Sequence, residues 1–387
     1  MRIGVDATCW PNRRGYGRFA REIVRAMAHQ GTADEFLCFG DAASLSAWTA
    51  NLSNVRLIEV PMDESPALAA SSTSNRSLRD MLRLARAVRG ERPDAFFSPS
   101  VYTYFPLPPG LPAVVTVHDT IPERFPQMTL PSRAARLFWA AKVRLALWQC
   151  DLVLTVSDHA ARSIIEILGV APDRIRVTTE APAEAYRPTD ASDQAAAAAR
   201  TGIPGGAPWF AYVGGFNPHK RVDSILRAHA AIACDTTPVP HLVLVGARTD
   251  AFLGDAARLE EIVRSAGTAD LVHWTGFVPD SELAPLLGGA TALLLPSEVE
   301  GFGLPAVEAA ACGTPVVATT ESPLPDLLKG GGIFVAPGDE AALRAAMRAL
   351  LDPARRAALG RVARERASAM SWDRAADVAL AAIHELA

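Results

Sequence analysis

Residues Leu293 to Thr319 read LLLPSEVEGFGLPAVEAAACGTPVVAT, and the order they spell is strand, loop, helix, strand. Leu293, Leu294 and Leu295 make a short apolar run closed by Pro296. Ser297 to Gly303 is polar and glycine-bearing, as a loop is. Pro305 suits the first turn of a helix, where its missing N–H costs nothing, and Val307, Ala310 and Ala311 give that helix an apolar face. Gly313 is placed to close it in a left-handed cap, and Pro315 to Ala318 is a second buried strand. Two parallel strands joined by a crossover helix make a βαβ unit.

Two carboxylates bracket the loop and the helix start. Glu300 stands in the loop and Glu308 in the predicted first turn, with seven residues between them. Backbone N–H groups at a helix start are unpaired and carry partial positive charge, so the place suits an anion. Carboxylates beside it would accept hydrogen bonds from sugar hydroxyls. A lone glutamate there more often does no more than complement the helix dipole. The whole string is more specific: EGFGLP, the paired glutamates and ACGTPVV resemble the Glu-x7-Glu signature of the family-4 retaining glycosyltransferases of GT-B fold. The resemblance implies a nucleotide diphosphate sugar as donor. It puts Glu300 near the hexose, Glu308 on the ribose, and Gly301, Phe302, Gly303 and Leu304 at the donor site.

Earlier in the chain, Arg2 to Ala7 reads as a strand, followed by Gly15-Tyr16-Gly17-Arg18 and a helical pattern through Phe19, Ile23, Val24 and Met27. A glycine turn between strand and helix lets backbone approach a phosphate, though the motif alone fits any strand–helix turn. The resemblance implies that Gly15 and Gly17, with Arg18, face the donor phosphates. Phe36 to Phe39, Val55 to Val60, Ala95 to Ser98 and Ala113 to Val117 are further strands. The polar sequence between the first two, and again from Met62 to Asn75, reads as loop, the second a candidate flap. Ser77 to Arg89 is an amphipathic helix with Leu78, Met81, Leu82, Ala85 and Val88 as its stripe and four arginines beside them. Such a basic face is usually only solvated; the other reading is contact with an anionic membrane surface.

His118-Asp119 follows the strand from Ala113 to Val117. A histidine at the carboxyl end of a parallel strand opens onto the crevice where α/β proteins bind ligands, or else caps the strand end. The string VTVHDTIPERFP resembles the family's VHD segment, which implies that His118 contacts the donor hexose and joins Glu300 and Lys220 as a catalytic residue. Asp119 then shapes the loop. Ser132 to Cys150 is a helix, and Asp151 to Val156 and Arg174 to Thr178 are strands. EAPAEAYRP, residues 180 to 188, stands where the family carries an Asn-Gly-Val-Asp turn.

Asp190 to Gly206 breaks the composition with five consecutive alanines and then Gly/Pro, and reads as the connection between domains. A second α/β pattern begins at Trp209 to Val213 and runs into GGFNPHKR. Gly214 and Gly215 let backbone approach a diphosphate, and Lys220 supplies a charge-assisted hydrogen bond of about 1.5–3 kcal/mol. Many family members carry an arginine a few residues before this lysine. It is missing here, leaving Arg221, Arg248 or Arg18 to make the second cationic contact. Val272 to Thr275 leads into GFVP, and the resemblance implies that backbone near Val278 binds the nucleobase. MSWDRAADVALAAIHELA resembles the family's C-terminal helix, which packs back on the first domain.

Composition narrows the class. At roughly 150 residues per domain, 387 residues make two or three. A net charge of −4 gives no basic field to recruit nucleic acid. The five cysteines are scattered with no Cys-x-x-Cys, as reduced core thiols of a cytosolic protein are, and no metal-ligand spacing is visible. The N-terminus shows no signal peptide, and no apolar run reaches the ~20 residues that span a bilayer. The stretch Phe138 to Val156 is interrupted by Lys142, Arg144 and Asp151.

The expectation is an α/β chain of GT-B fold, two Rossmann-like doubly wound domains facing a central cleft. Residues 1–188 form the acceptor-binding domain, 189–370 the nucleotide-sugar domain, and 371–387 a helix crossing back. The implied reaction moves a hexose, with retention, from a GDP- or UDP-hexose to a hydroxyl of a sugar, glycolipid or small metabolite. It is mannosyltransferase-like and suits polysaccharide assembly, with no metal or other cofactor. No pair of carboxylates is arranged for glycoside hydrolysis. The alternatives are a nucleotide-sugar epimerase and a catalytically quiet nucleotide-sugar binder. The expected place is the cytoplasm, or the cytoplasmic face of the membrane.

Overall fold

Apolar runs without polar alternation become strands covered on both faces. The computed structural model describes residues 1–12, 15–63, 77–130, 132–247 and 256–386. Arg248 and most of the stretch from Met62 to Asn75 lie outside the described residues. Seven of the strands are β1 Arg2–Asp6, β2 Glu35–Gly40, β3 Val55–Glu59, β4 Ala95–Ser98, β5 Ala113–Thr116, β6 Leu152–Thr155 and β7 Ile175–Val177. All pair in parallel, in the order β3-β2-β1-β4-β5-β6-β7. They belong to a compact unit of Met1–Glu180 with Ser371–Ala387. Phe39, Phe96, Phe105, Trp139 and Val143 are in its apolar core.

The last helix, Trp372–His384, packs on the helix Gly15–Gln30 with Ala375, Ala376, Ala379 and Ile383 buried. Polar contacts pin both its ends. Thr178 Oγ1 donates to the Ala375 carbonyl at 3.1 Å, and His384 Nε2 lies 2.8 Å from the Asp34 carboxylate. Asp34 also accepts from the Met1 ammonium at 2.8 Å, and these partners hold its carboxyl below the usual range against the cost of burial.

The second unit, Ala181–Met370, is built on β8 Trp209–Val213, β9 His241–Val245, β10 Val272–Gly276, β11 Ala292–Leu295, β12 Val316–Thr319 and β13 Gly332–Val335. Their order is β10-β9-β8-β11-β12-β13, again all parallel.

Four expectations change. Asp190 to Gly206 is not a plain connection: Ala191–Arg200 is a helix, capped by the Asp190 side chain, which accepts from the Asp193 N–H at 2.9 Å. Alanine is the strongest helix former, and Ala197 and Ala198 are buried where this helix meets the helix Asp280–Gly288. The chain divides after Glu180 rather than at 188, and Tyr186 already donates to Asp280 of the second unit at 2.8 Å. Part of the loop between β2 and β3 is a short helix, Ala42–Leu45, capped by Asp41. Finally, the helix Leu78–Glu91 turns Asp80, Leu84 and Val88 inward, while Leu78 and Leu82 are 74% and 55% exposed. An acid can occupy the inner face because Asp80 accepts from Arg83 at 2.8 Å and from the Asp63 N–H at 3.1 Å.

Candidate active site

In a doubly wound sheet the connections leave in opposite directions at one place, and a crevice opens there at the carboxyl ends of the strands. In the second unit that place lies between β8 and β11. The loop after β8 carries Gly214, Gly215 and the turn Pro218–Lys220; the loop after β11 carries Ser297 to Gly303.

Side chains join the two loops. Lys220 Nζ donates to Glu300 Oε1 at 2.8 Å, and Ser297 Oγ donates to the same oxygen at 2.6 Å. The next cation pairs with the acid two residues before Glu300: Arg221 Nη1 lies 3.2 Å from Glu298 Oε1. Between them the Glu298 N–H donates to the His219 carbonyl at 2.8 Å. Glu300 is 8% exposed, and its own N–H donates to the Glu321 carbonyl at 2.9 Å. A lysine and a carboxylate are thus held beside a helix start with little water around them. Arg221 sits on the same turn, but its guanidinium is held by Glu298.

The helix Leu304–Ala311 begins behind Gly303, whose φ is +92°. A one-residue difference in its start moves Glu308 from the predicted first turn to the second, where it is 3% exposed. Gly301, Phe302 and Leu304 are buried at the helix start. Val278 is half-buried just beyond β10, next to Phe277, which is 52% exposed. Gly303→Ala should cost about 1–2 kcal/mol, because an L side chain is strained at that φ. A built Cβ would also come within 2.7 Å of Leu324 Cδ1. An unchanged thermal midpoint would show that the turn relaxes freely.

In the first unit the connections diverge between β1 and β4. Gly15 and Gly17 open the helix Gly15–Gln30. Gly15 is exposed, but a Cβ on Gly17 would stand 2.1 Å from the Asn12 carbonyl oxygen, so only glycine fits. His118, just past β5, is 7% exposed, with Nε2 at 3.0 Å from the Pro99 carbonyl oxygen. Its ring meets Phe19 edge-on, centroids 4.8 Å apart. Asp119 Oδ1 accepts from the Ile121 N–H at 2.9 Å, which shapes the loop.

Sequence reading passed over Glu180. It is 4% exposed and its Oε1 lies 3.7 Å from His118 Nδ1. Burial pushes its carboxyl up, against the pull of His118 and Arg18. The available signal was EAPAEAYRP in place of the family's turn. His118, Gly15, Gly17 and Arg18 belong to the first unit; Lys220, Arg221, Val278, Glu300 and Glu308 belong to the second. Among the described residues no group of three or more His, Cys, Asp or Glu side chains is placed to hold a metal ion, and no helix is long and apolar enough to cross a membrane.

Known proteins share both halves. The family model described as Glycosyltransferase Family 4 matches residues 13–179, and that for Glycosyl transferases group 1 matches 193–366. The chain is 33% identical over 274 residues to a D-inositol 3-phosphate glycosyltransferase of Acidothermus cellulolyticus, a match covering 68% of this chain and 60% of that protein. It is 26% identical to the O-antigen chain mannosyltransferase B of Escherichia coli, covering 86% of this chain and 85% of that one. Among solved structures, sucrose-phosphate synthase from Thermosynechococcus elongatus superposes with a TM-score of 0.76 at 20% identity, over 100% of this chain and 98% of that one. HepE of Anabaena in complex with UDP-glucose gives 0.73 at 18%, over 100% and 98%. With two doubly wound parallel units of the GT-B fold class and both halves matched, the chain belongs to the family-4, group 1 glycosyltransferases.

Proposed function

We propose that the protein is a retaining hexosyltransferase that moves a hexose from a nucleoside diphosphate sugar to an acceptor hydroxyl. The observation that carries this reading is the Lys220–Glu300 pair at 2.8 Å, joining the two loops at the sheet's switch point beside a helix start. In this reading the diphosphate lies against Lys220 and the amides after Gly214 and Gly303. Glu308 accepts from the ribose hydroxyls, Glu300 and His118 contact the hexose, and backbone near Val278 meets the base. The bond from the anomeric carbon to the diphosphate oxygen breaks as Lys220 and the helix dipole stabilise the departing charge. The acceptor oxygen attacks the same face through an oxocarbenium-like state, and its proton passes to the leaving diphosphate. Protein cations fill the role that a metal ion takes elsewhere, so the reaction is expected to survive chelators.

The UDP-glucose complex of HepE supports testing a uridine donor first, with guanosine beside it as the other nucleotide the sequence resemblance implies. The test is thermal unfolding with UDP, GDP and ADP. A nucleotide at 100 times its Kd adds about 2.7 kcal/mol, and the shift should vanish in Glu308→Ala and Lys220→Ala. If no nucleotide moves the midpoint, the donor site is misassigned. Donor turnover without acceptor would favour an epimerase, and binding without transfer to any acceptor would favour a quiet binder.

Peripheral contact with an anionic membrane surface belongs to the same proposal. Its support is the helix Arg133–Gln149, where Leu137 and Trp148 are 73% and 79% exposed beside Arg133 and Arg144, with no acidic residue on the helix. Co-sedimentation with phosphatidylglycerol vesicles but not phosphatidylcholine vesicles, lost in Trp148→Ser, is the expected result; equal behaviour with both lipids would remove the reading.

A further inference from the structure

We propose that Glu180 is a positioning residue that keeps one proton between its carboxyl group and Nδ1 of His118, and so fixes that ring in place; this rests on reading His118 as part of the donor site. The argument is a count of protons. His118 Nε2 lies 3.0 Å from the Pro99 carbonyl oxygen, which can only accept, so Nε2 carries a hydrogen and donates it. A neutral ring with its hydrogen there turns a bare lone pair at Nδ1 toward Glu180, 3.7 Å away. Facing a carboxylate, that lone pair is repelled. Both residues are buried, 7% and 4% exposed, so little water enters between them. Either the ring carries a second hydrogen at Nδ1 or the carboxyl group carries it, and in both cases one proton lies between the two.

The surroundings agree with a held ring. Phe19 packs edge-on against it, and Tyr16 stands 6.5 Å from it. The other charged groups facing Glu180 are Arg18 and Asp119, of opposite sign. Glu180 arrives from the segment after β7, while Pro99 and His118 follow β4 and β5, so three strand ends fix one imidazole. Flipping the ring would break both contacts. With both nitrogens facing protein groups, His118 acts on a sugar through its place and does not exchange protons with it.

The test uses full-length protein with 15N-labelled histidine, the His118 signals being those lost in His118→Asn. The native spectrum is expected to show Nε2 protonated and Nδ1 protonated or strongly hydrogen-bonded. In Glu180→Ala the Nδ1 signal should move toward that of a bare imine nitrogen. A bare Nδ1 in the native protein, or a signal unmoved by Glu180→Ala, overturns the proposal. This readout needs no transfer activity, so it stands apart from failure of the glycosyltransferase reading. In turnover, Glu180→Ala should lower kcat about tenfold or more with little change in donor KM, and Glu180→Asp should restore part of it. A rise in KM alone would make Glu180 a binding residue and overturn the positioning role. Should Glu180→Ala not fold, Glu180→Met carries the same spectroscopic test, because its side chain fills similar space and has no polar hydrogen to offer Nδ1.

Discussion

Lys220→Met is expected to lower kcat by about 100- to 1,000-fold, the usual effect of removing one preorganised group from a developing anion. Two consequences of the change can be separated. The first is structural: Lys220 is the cation paired with Glu300, a residue 8% exposed. Stripping one partner from a buried pair leaves an uncompensated charge and costs about 3 kcal/mol, the low end of the range because the lysine keeps some solvent contact. The second is chemical, since in the proposed reaction the leaving diphosphate loses the lysine that stabilises its charge. Glu300→Gln tells them apart by removing the charge that Lys220 balances while keeping the shape. The double variant should therefore regain most of the lost stability and none of the lost rate. Unfolding midpoints and kcat for the four proteins complete the cycle. Recovery of turnover in the double variant would mean that Lys220 serves the fold alone.

The residues of this pair were legible in the sequence because each lies in a contiguous loop with its own signals. Glycines follow an apolar run in both places, and EGFGLP marks the helix start. The lysine and the glutamate come together because β8 and β11 are neighbours at the switch point, a consequence of the topology that strand order alone supplies. Glu180 stayed hidden for the opposite reason. Its partner, His118, follows β5, far away in the sequence, and nothing in EAPAEAYRP distinguishes a buried acid from a surface one. Asp80 is a second case: an acid on the inner helix face looks like a break in the stripe until Arg83 and the Asp63 N–H are seen to satisfy it. The alanine run at 195 to 199 misled because the same residue marks low complexity and the best helix propensity. What a helix end or a loop does locally can be read from residues; which distant polar group meets which cannot.

The two units should respond to acid in opposite directions. His229 is fully buried in the second unit, with Nε2 at 2.8 Å from the Pro240 carbonyl oxygen. Burial, with smaller contributions from the neighbouring His241 and His273, lowers its pKa to about 4. Those two imidazoles sit 2.8 Å apart, Nδ1 to Nε2, and burial depresses both. Unfolded histidine takes up its proton near pH 6.5, so between pH 6.5 and 4 the unfolded chain binds more protons than the folded one. Stability is fully present above pH 6.5 and falls as the pH falls, by about 3 kcal/mol for His229 at pH 4. Glu123 in the first unit has the reverse sign. Burial raises its carboxyl to about 7, despite the hydrogen bond that Trp139 Nε1 donates to it at 2.6 Å. The folded state then keeps a proton that the unfolded state has lost, so stability is gained as the pH falls from 7 to 4.5, by up to about 3 kcal/mol. Calorimetry at pH 7.5 and pH 5 should therefore move the two unfolding transitions apart. His229→Gln should flatten the pH response of one transition and Glu123→Gln that of the other. Equal pH slopes in native protein and His229→Gln would show that the imidazole is protonated in the folded state, with water or a shifted Pro240 carbonyl compensating its charge.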